Sequence, residues 1–432
     1  MEWVATLAVF FGALIALMLI GLPVFVAFLL VNLGGLILVV GPRGFGLFAN
    51  SLVDTTTTNA FATVSLFVLM GEILFRSGSV DVLFDAVERL IGAVSGRLYV
   101  VVIVLSTVFG ALSGSAVAVA AMLGRSVMPD MTARGYDPRL SSGVILAGAS
   151  LAPIIPPSLL AIIVGSLADV SIAGLLIAGV VPGLLIAAIT GGWVAWRVAR
   201  DPAAAPPAAA RSRDGSVAAA LMQMAPFLIV IFAVMGLIVL GIATPGESAA
   251  TGVVGAILVA AIYRRLSLNM LREALISATA TAAMILIIVA SSKLFSQLLA
   301  LTGASRALVQ SATGLDLDPM LMLLLMMLVP FVLCMFIDQV AFLLMAVPLY
   351  GPLVGQLGFD PVWFWTLFLI NLTLGSLTPP FGYTLFAFTA ASGERTGAVF
   401  RASLPVIAIF VAALAVLAVF PGLVTTLPRL MQ

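Results

Sequence analysis

The sequence predicts an all-α polytopic membrane protein made of two inverted-topology repeats, each with a re-entrant hairpin and a broken helix. The composition, a proline pair that occurs twice inside apolar runs, and one constant offset between the two halves support that expectation. Hydrophobic residues make up 63% of the chain and charged residues 9%. Apolar segments reach the ~20 residues needed to cross ~30 Å of hydrocarbon, and a water-soluble core would not need so little charge. The proline pairs are Ile155-Pro156-Pro157 and Thr378-Pro379-Pro380. Proline has no amide proton and its ring clashes with the carbonyl four residues back, so each pair interrupts a helix. The carbonyls of Ala152, Pro153, Gly375 and Ser376 are expected to lose their partners. An unmet carbonyl in hydrocarbon costs roughly several kcal/mol, so helices broken at mid-depth imply a cavity holding water or a ligand.

The missing residue types exclude many functions. There is no histidine, Cys334 is the only cysteine and Lys293 the only lysine. A Ser-His-Asp triad, an HExxH zinc site, a disulfide framework and a GxxxxGK[ST] loop for ATP are all ruled out, so an enzyme of these kinds is not expected. The net charge of +1 offers nothing to nucleic acid. Met1-Glu2-Trp3 lacks the basic region of a signal peptide, so the first apolar run reads as a retained span.

Taken in order, Trp3 to Ile20 and Pro23 to Val40 read as two spans joined at Gly21-Leu22-Pro23, and Phe61 to Phe75 as a third. In Val80 to Val94, Val82, Leu83, Ala86, Leu90 and Ile91 share one face while Asp81, Asp85, Glu88 and Arg89 share the other, the pattern of an interfacial helix. The stretch about 98–124 carries Ser113-Gly114-Ser115 in its middle and is too short for two crossings, which need about 40 residues. A single crossing would split Arg76, Arg89, Arg97, Arg125, Arg134 and Arg139 between two sides. A re-entrant hairpin keeps them on one side and is therefore preferred. A broken helix at about 140–168 and a plain span from Ile172 to Val198 complete the first repeat, residues 1–200. Residues 201–220 are a cytoplasmic linker, flexible and rich in Pro and Ala from Asp201 to Ser216.

The second repeat, 221–432, follows the same plan. It has spans at Pro226 to Gly241, Glu247 to Tyr263 and Ala274 to Leu299, and an amphipathic piece at Arg306 to Thr313. A hairpin at about 320–353 has Asp338 in its middle; a broken helix at about 362–391 and a final span near Val399 to Phe420 follow. At a constant offset of 223, Pro129 falls on Pro352, Gly135 on Gly358, Asp137 on Asp360, Pro138 on Pro361, the two proline pairs on each other, Gly174 on Gly397 and Pro182 on Pro405. Ser115 meets Asp338. Prolines number 23 in 432, so such coincidence is not accidental. Five spans per half, an odd number, invert the second half relative to the first.

With Arg76 inside, both termini lie outside and 15 of the 19 basic residues are cytoplasmic, only Arg43, Lys293, Arg306 and Arg429 being exterior. Trp3 and Trp363 are expected at the outer interface and Trp193 and Trp196 at the inner. The inversion brings both hairpin tips toward the two breaks near the midplane. Helices starting near Ala116, Ser158, Val340 and Phe381 point partial positive charge into the cavity, suited to a carboxylate. Freed carbonyls, the hydroxyls of Ser113, Ser115 and Thr378, and the Asp338 carboxylate suit a small hard cation such as sodium. The expected anion contacts are Ser115, Pro157, Ser158, Gln339, Pro380, Gly382, Tyr383 and Thr384. An anion beside cations at a pseudo-twofold axis is the layout of a cation-coupled symporter.

The runs FVLMGE (67–72), SGSAVAVAAMLG (113–124), LAPIIPPS (151–158), IAGVVPGLL (177–185), MFIDQVA (335–341) and NLTLGSLTPPFGYTLF (371–386) resemble the large, DctM-like membrane subunit of tripartite ATP-independent periplasmic (TRAP) transporters. The resemblance covers nearly the whole chain. It implies a bacterial inner-membrane protein that imports organic acids, dicarboxylates among them, down a sodium gradient without ATP. It further implies a periplasmic substrate-binding protein and a small four-helix membrane subunit as partners, and an elevator-type fold in which hairpins and broken helices move against a fixed scaffold. Carried over by position, one sodium site involves Ser113, Gly114, Ser115, Ile155 and Pro156, and a second Asp338, Thr378 and Pro379. Val119 and Tyr383-Thr384 depart from the family pattern.

Simpler structural roles compete at several positions. Ser-Gly-Ser can serve close helix packing, Lys293 can snorkel to the outer interface, and Glu72 and Glu247 can cap span ends. Asp137 and Asp360 read as caps and Cys334 as core. Other function classes are an intramembrane aspartyl protease, which needs a second mid-depth aspartate beside Asp338, another cation-coupled anion transporter, and a channel-like subunit without a binding protein.

Overall fold

Helix caps written into the sequence mark where many of the elements begin. Asp137 Oδ1 accepts from the Arg139 and Leu140 amides, Asp360 from Trp363, and Asp318 from Met320 and Leu321.

 Among the described residues ten helices start at a side-chain N-cap, nine α-helices and one 3₁₀ turn. Each cap satisfies amides that the first helical turn leaves without partners. Thr244 and Glu247 form a reciprocal capping box, so Glu247 has the capping role.

The structure is a computed structural model that describes residues 2–41, 44–92, 94–206 and 217–431; Arg43 and residues 207–216 of the linker lie outside them. Every regular element among the described residues is a helix. By length and composition six helices can cross a membrane, or seven if Phe45–Thr57 and Phe61–Arg76 form one bent span, against the ten predicted. The shortfall has two sources. Trp3–Met18 and Phe25–Val39 are a little short, and the two broken helices are divided into pieces that are each too short, whereas Gln339–Gln356, predicted as a hairpin limb, is long enough to count.

Helix limits recur at the offset of 223. Gln339–Gln356 falls on Ala116–Ser126 plus Met128–Ala133, Pro361–Ser376 on the helix starting at Pro138, and Leu268–Leu301 on Phe45–Thr57 plus Asn59–Arg76. The last pair differs in continuity. Thr58 is extended (φ −74°, ψ 137°), and Thr55, Thr56, Thr57 and Thr58 all donate hydroxyls back to carbonyls of their own turn. Such back-bonding competes with the helix. The helix Phe45–Thr57 was not anticipated, because its polar threonine run hides the apolar period.

One set of helices gathers around Leu268–Leu301, which packs on Val24–Val39, Phe45–Thr57 and Asn59–Arg76. Phe295 meets Phe10, Phe11 and Phe28 edge-on at 5.8, 5.3 and 5.8 Å, pairs worth about 0.5–1.5 kcal/mol each beyond burial. The other set holds the helix pairs and broken helices: Arg97–Ser113 packs on Pro138–Ala149, and Pro319–Leu333 on Pro361–Ser376. Leu159–Leu167 and Gln339–Gln356 touch both sets.

Three sequence expectations change. The linker is packed at its start: Ala204 and Ala205 are buried, and the Ala204 carbonyl accepts from Tyr99 Oη and the Asp137 amide. Its end is already helical, since Val217–Val239 begins before the predicted span. Trp363 is 5% exposed and donates to the Leu417 carbonyl, so it is core rather than an interface anchor. A methyl added at Gly375 would lie 2.5 Å from Cys334 Cβ and 3.0 Å from the Phe331 carbonyl. Gly375→Ala is expected to destabilise by about 1–3 kcal/mol, read as a lower Tm, whereas Gly236→Ala, with open space around it, leaves Tm nearly unchanged.

Candidate functional site

Both proline pairs interrupt their helices as predicted, and both Pro-Pro bonds are cis. Each break lies against the turn of a helix pair from its own half. At the first, Gly114 (φ +61°) ends Arg97–Ser113, and a Cβ there would sit 3.0 Å from the Leu159 amide nitrogen. A positive φ and that approach both require glycine. Ser113 Oγ accepts from the Ser115 amide, and Ser115 Oγ caps the next helix by accepting from Ala118. A small cavity between turn and break is lined by Ser113, Gly114 and Pro157. Ile155 is buried and packs where a side chain on Gly183 would otherwise be.

At the second break the capping group is a carboxylate. Asp338 Oδ1 accepts from the Val340 and Ala341 amides at 2.9 and 3.2 Å, so Ser115 and Asp338 hold the same position in the two halves. Phe336 and Phe381 rings lie 5.6 Å apart and join the turn to the break. The carbonyls of Ser376 and Thr378 converge beside Gly382, 2.6 and 2.9 Å from where its Cβ would be.

The freed carbonyls are partly met. Ser158 Oγ donates to the Pro153 carbonyl and accepts from the Ala161 amide, and the Thr378 amide donates to Gly375. The expectation that Pro153 and Gly375 lose their partners is therefore corrected: a hydroxyl and a tightened turn replace the missing amides. Thr378 Oγ1 donates to the Leu374 carbonyl. Helix starts shift slightly from those predicted, to Leu159, Gln339 and Tyr383.

The predicted anion contacts differ in exposure. Pro380 and Tyr383 are exposed, Ser115 is half-buried, and Pro157, Ser158, Gln339, Gly382 and Thr384 are buried. Gln339 Nε2 donates to Ser376 Oγ at 2.5 Å, and Ser376 Oγ lies 3.1 Å from Thr384 Oγ1. Ser376 joins the turn to both sides of the break through its hydroxyl, a role beyond the freed carbonyl expected of it. The two halves also cross: Tyr383–Ser392 packs on Ala116–Ser126, and Leu159–Leu167 on Gln339–Gln356.

A cavity of ≈660 Å³ lies between the two sets of helices and is lined by Asp54, Ser166, Asp169, Lys293, Gln297 and Pro352 among others. Lys293 Nζ is 2.8 Å from Asp54 Oδ2. Lys293 thus has a carboxylate partner within a polar cavity. Glu72 pairs with Arg76 at 2.7 Å.

Apolar helices of membrane length, interrupted by two breaks held against capped turns, define a polytopic membrane protein. Residues 11–423 match the family described as Tripartite ATP-independent periplasmic transporter, DctM component, and the chain belongs to that family. The C4-dicarboxylate TRAP transporter large permease protein DctM of Pseudomonas aeruginosa is 29% identical over 398 residues, 91% of each chain. The ectoine TRAP transporter large permease protein TeaC of Halomonas elongata is 28% identical over 413 residues, 95% of this chain and 96% of that one. These relatives are transporter permeases, not enzymes. The fold is shared with the Alcanivorax borkumensis YdaH transporter, with a TM-score of 0.65 at 16% identity over 88% of this chain and 89% of that one.

Ser376→Ala leaves Gln339 and Thr384 without their shared partner, and is expected to destabilise by about 1–3 kcal/mol. In a double-mutant cycle with Thr384→Val the two losses are expected to be less than additive, as measured by thermal unfolding.

Proposed function

We propose that this chain is the large transmembrane subunit of a TRAP transporter that couples sodium to the import of an organic acid. The observation that carries the reading is the paired construction of the two breaks: a capped helix start and carbonyl-rich turn meet at each, with Ser115 and Asp338 equivalent. Helix N-termini favour a carboxylate. The carbonyls beside Gly382, with hydroxyl and carboxylate oxygens at the turns, are hard donors that fit sodium. Ser113, Gly114, Ser115, Ile155 and Pro156 would hold one ion, and Asp338, Thr378 and Pro379 a second.

The recurrence of helix limits at offset 223 supports two repeats. Their inverted insertion places both termini in the periplasm and makes the two helix pairs re-entrant hairpins. In this reading the set around Leu268–Leu301 is the scaffold and the broken helices move against it as an elevator. A periplasmic binding protein delivers the acid, and a small four-helix subunit braces the scaffold in the bacterial inner membrane. The relatives' names pair this architecture with C4-dicarboxylate in one case and ectoine in another, which supports placing substrate choice in the binding protein.

In proteoliposomes supplied with both partners, uptake is expected to require an inward sodium gradient. Asp338→Asn and Ser115→Ala are expected to lower it on the order of ten- to a hundredfold with normal insertion. Uptake that ignores the sodium gradient in the wild type, or wild-type rates in both variants, would overturn the coupling sites.

A further inference from the structure

We propose that a crevice at one end of the permease holds the phosphate headgroup of an anionic phospholipid. The crevice, ≈280 Å³, is lined by Arg139, Arg197, Trp193, Trp196, Asp137 and Pro405 among others. Three helices form it: the start of Pro138–Ala149, the end of Val180–Arg200 and Thr396–Val419.

Its charge is unbalanced. The ion pairs among the described residues engage Arg76, Arg97, Arg134, Lys293 and Arg429, but neither Arg139 nor Arg197. Asp137, the carboxylate in the lining, directs Oδ1 at the Arg139 and Leu140 amides. Two guanidiniums therefore face a cavity whose one acid is turned to a helix start, and guanidinium pairs suit phosphate geometry.

The surroundings favour a lipid over a free anion. Trp196 is 51% exposed and carries the Arg200 guanidinium 5.0 Å from its ring centre, a Trp-Arg arrangement suited to headgroup depth. The same helices expose Leu184 and Leu404, each 57%, and so offer apolar surface for acyl chains. Under the sidedness proposed above the crevice lies in the cytoplasmic leaflet, which carries the anionic lipids. The ligand chemistry itself does not depend on transport.

The full chain in detergent, given equal phosphatidylglycerol and phosphatidylcholine, is expected to retain phosphatidylglycerol preferentially by native mass spectrometry. Arg139→Gln with Arg197→Gln should weaken that lipid roughly thirtyfold without changing phosphatidylcholine, and the Arg→Lys pair should keep most of the preference. Equal retention of both lipids by the wild type overturns the proposal, as does an unchanged preference in the Gln pair. Release by millimolar inorganic phosphate would make a free anion the occupant and overturn the lipid assignment. If the Gln pair fails to fold, the wild-type comparison still decides.

Discussion

Backbone polar groups removed from water must find partners, and the fold is arranged around two places where proline makes that difficult. At Pro156-Pro157 the Ser158 hydroxyl meets the Pro153 carbonyl and an amide of the next helix at once. At Thr378-Pro379-Pro380 the Thr378 amide turns back to Gly375, and Ser376 ties Gln339 to Thr384. A side-chain hydroxyl and a tightened turn thus replace part of the ladder that proline removes, while the carbonyls near Gly382 remain turned to a shared point.

The halves answer that constraint differently. The first caps its turn with a neutral hydroxyl, Ser115, and the second with a carboxylate, Asp338. The helix after the first break is capped by Ser158, whereas its counterpart starts at Gly382, which has no side chain to give. Equivalent backbones therefore carry unequal charge, and the second half holds the denser polar network. Close glycine contacts keep turn and break together in both, through Gly114 against Leu159 and Gly375 against Cys334.

Long-range polar contacts tie the long helix Leu268–Leu301 to its neighbours, within its own set through Asn32 and toward Gln339–Gln356 through Ser292. Asn32 donates to the Ser291 carbonyl and Ser292 to Leu344, both buried. The second of these links the long helix to the helix that Asp338 caps.

Composition and the 223-residue echo determined the class, most of the helix order, the two breaks and the equivalence of Ser115 with Asp338, because hydropathy, proline and caps act over a few residues. Asp137, Asp360 and Glu247 were legible as caps for the same reason. Only the tertiary structure decided what each freed group meets. It buried Gln339, Thr384 and Trp363, gave Ser376 its joining role, paired Lys293 with Asp54 across 239 residues, and packed Ala204 under Tyr99. Those outcomes depend on neighbours distant in sequence, whose approach no local pattern encodes.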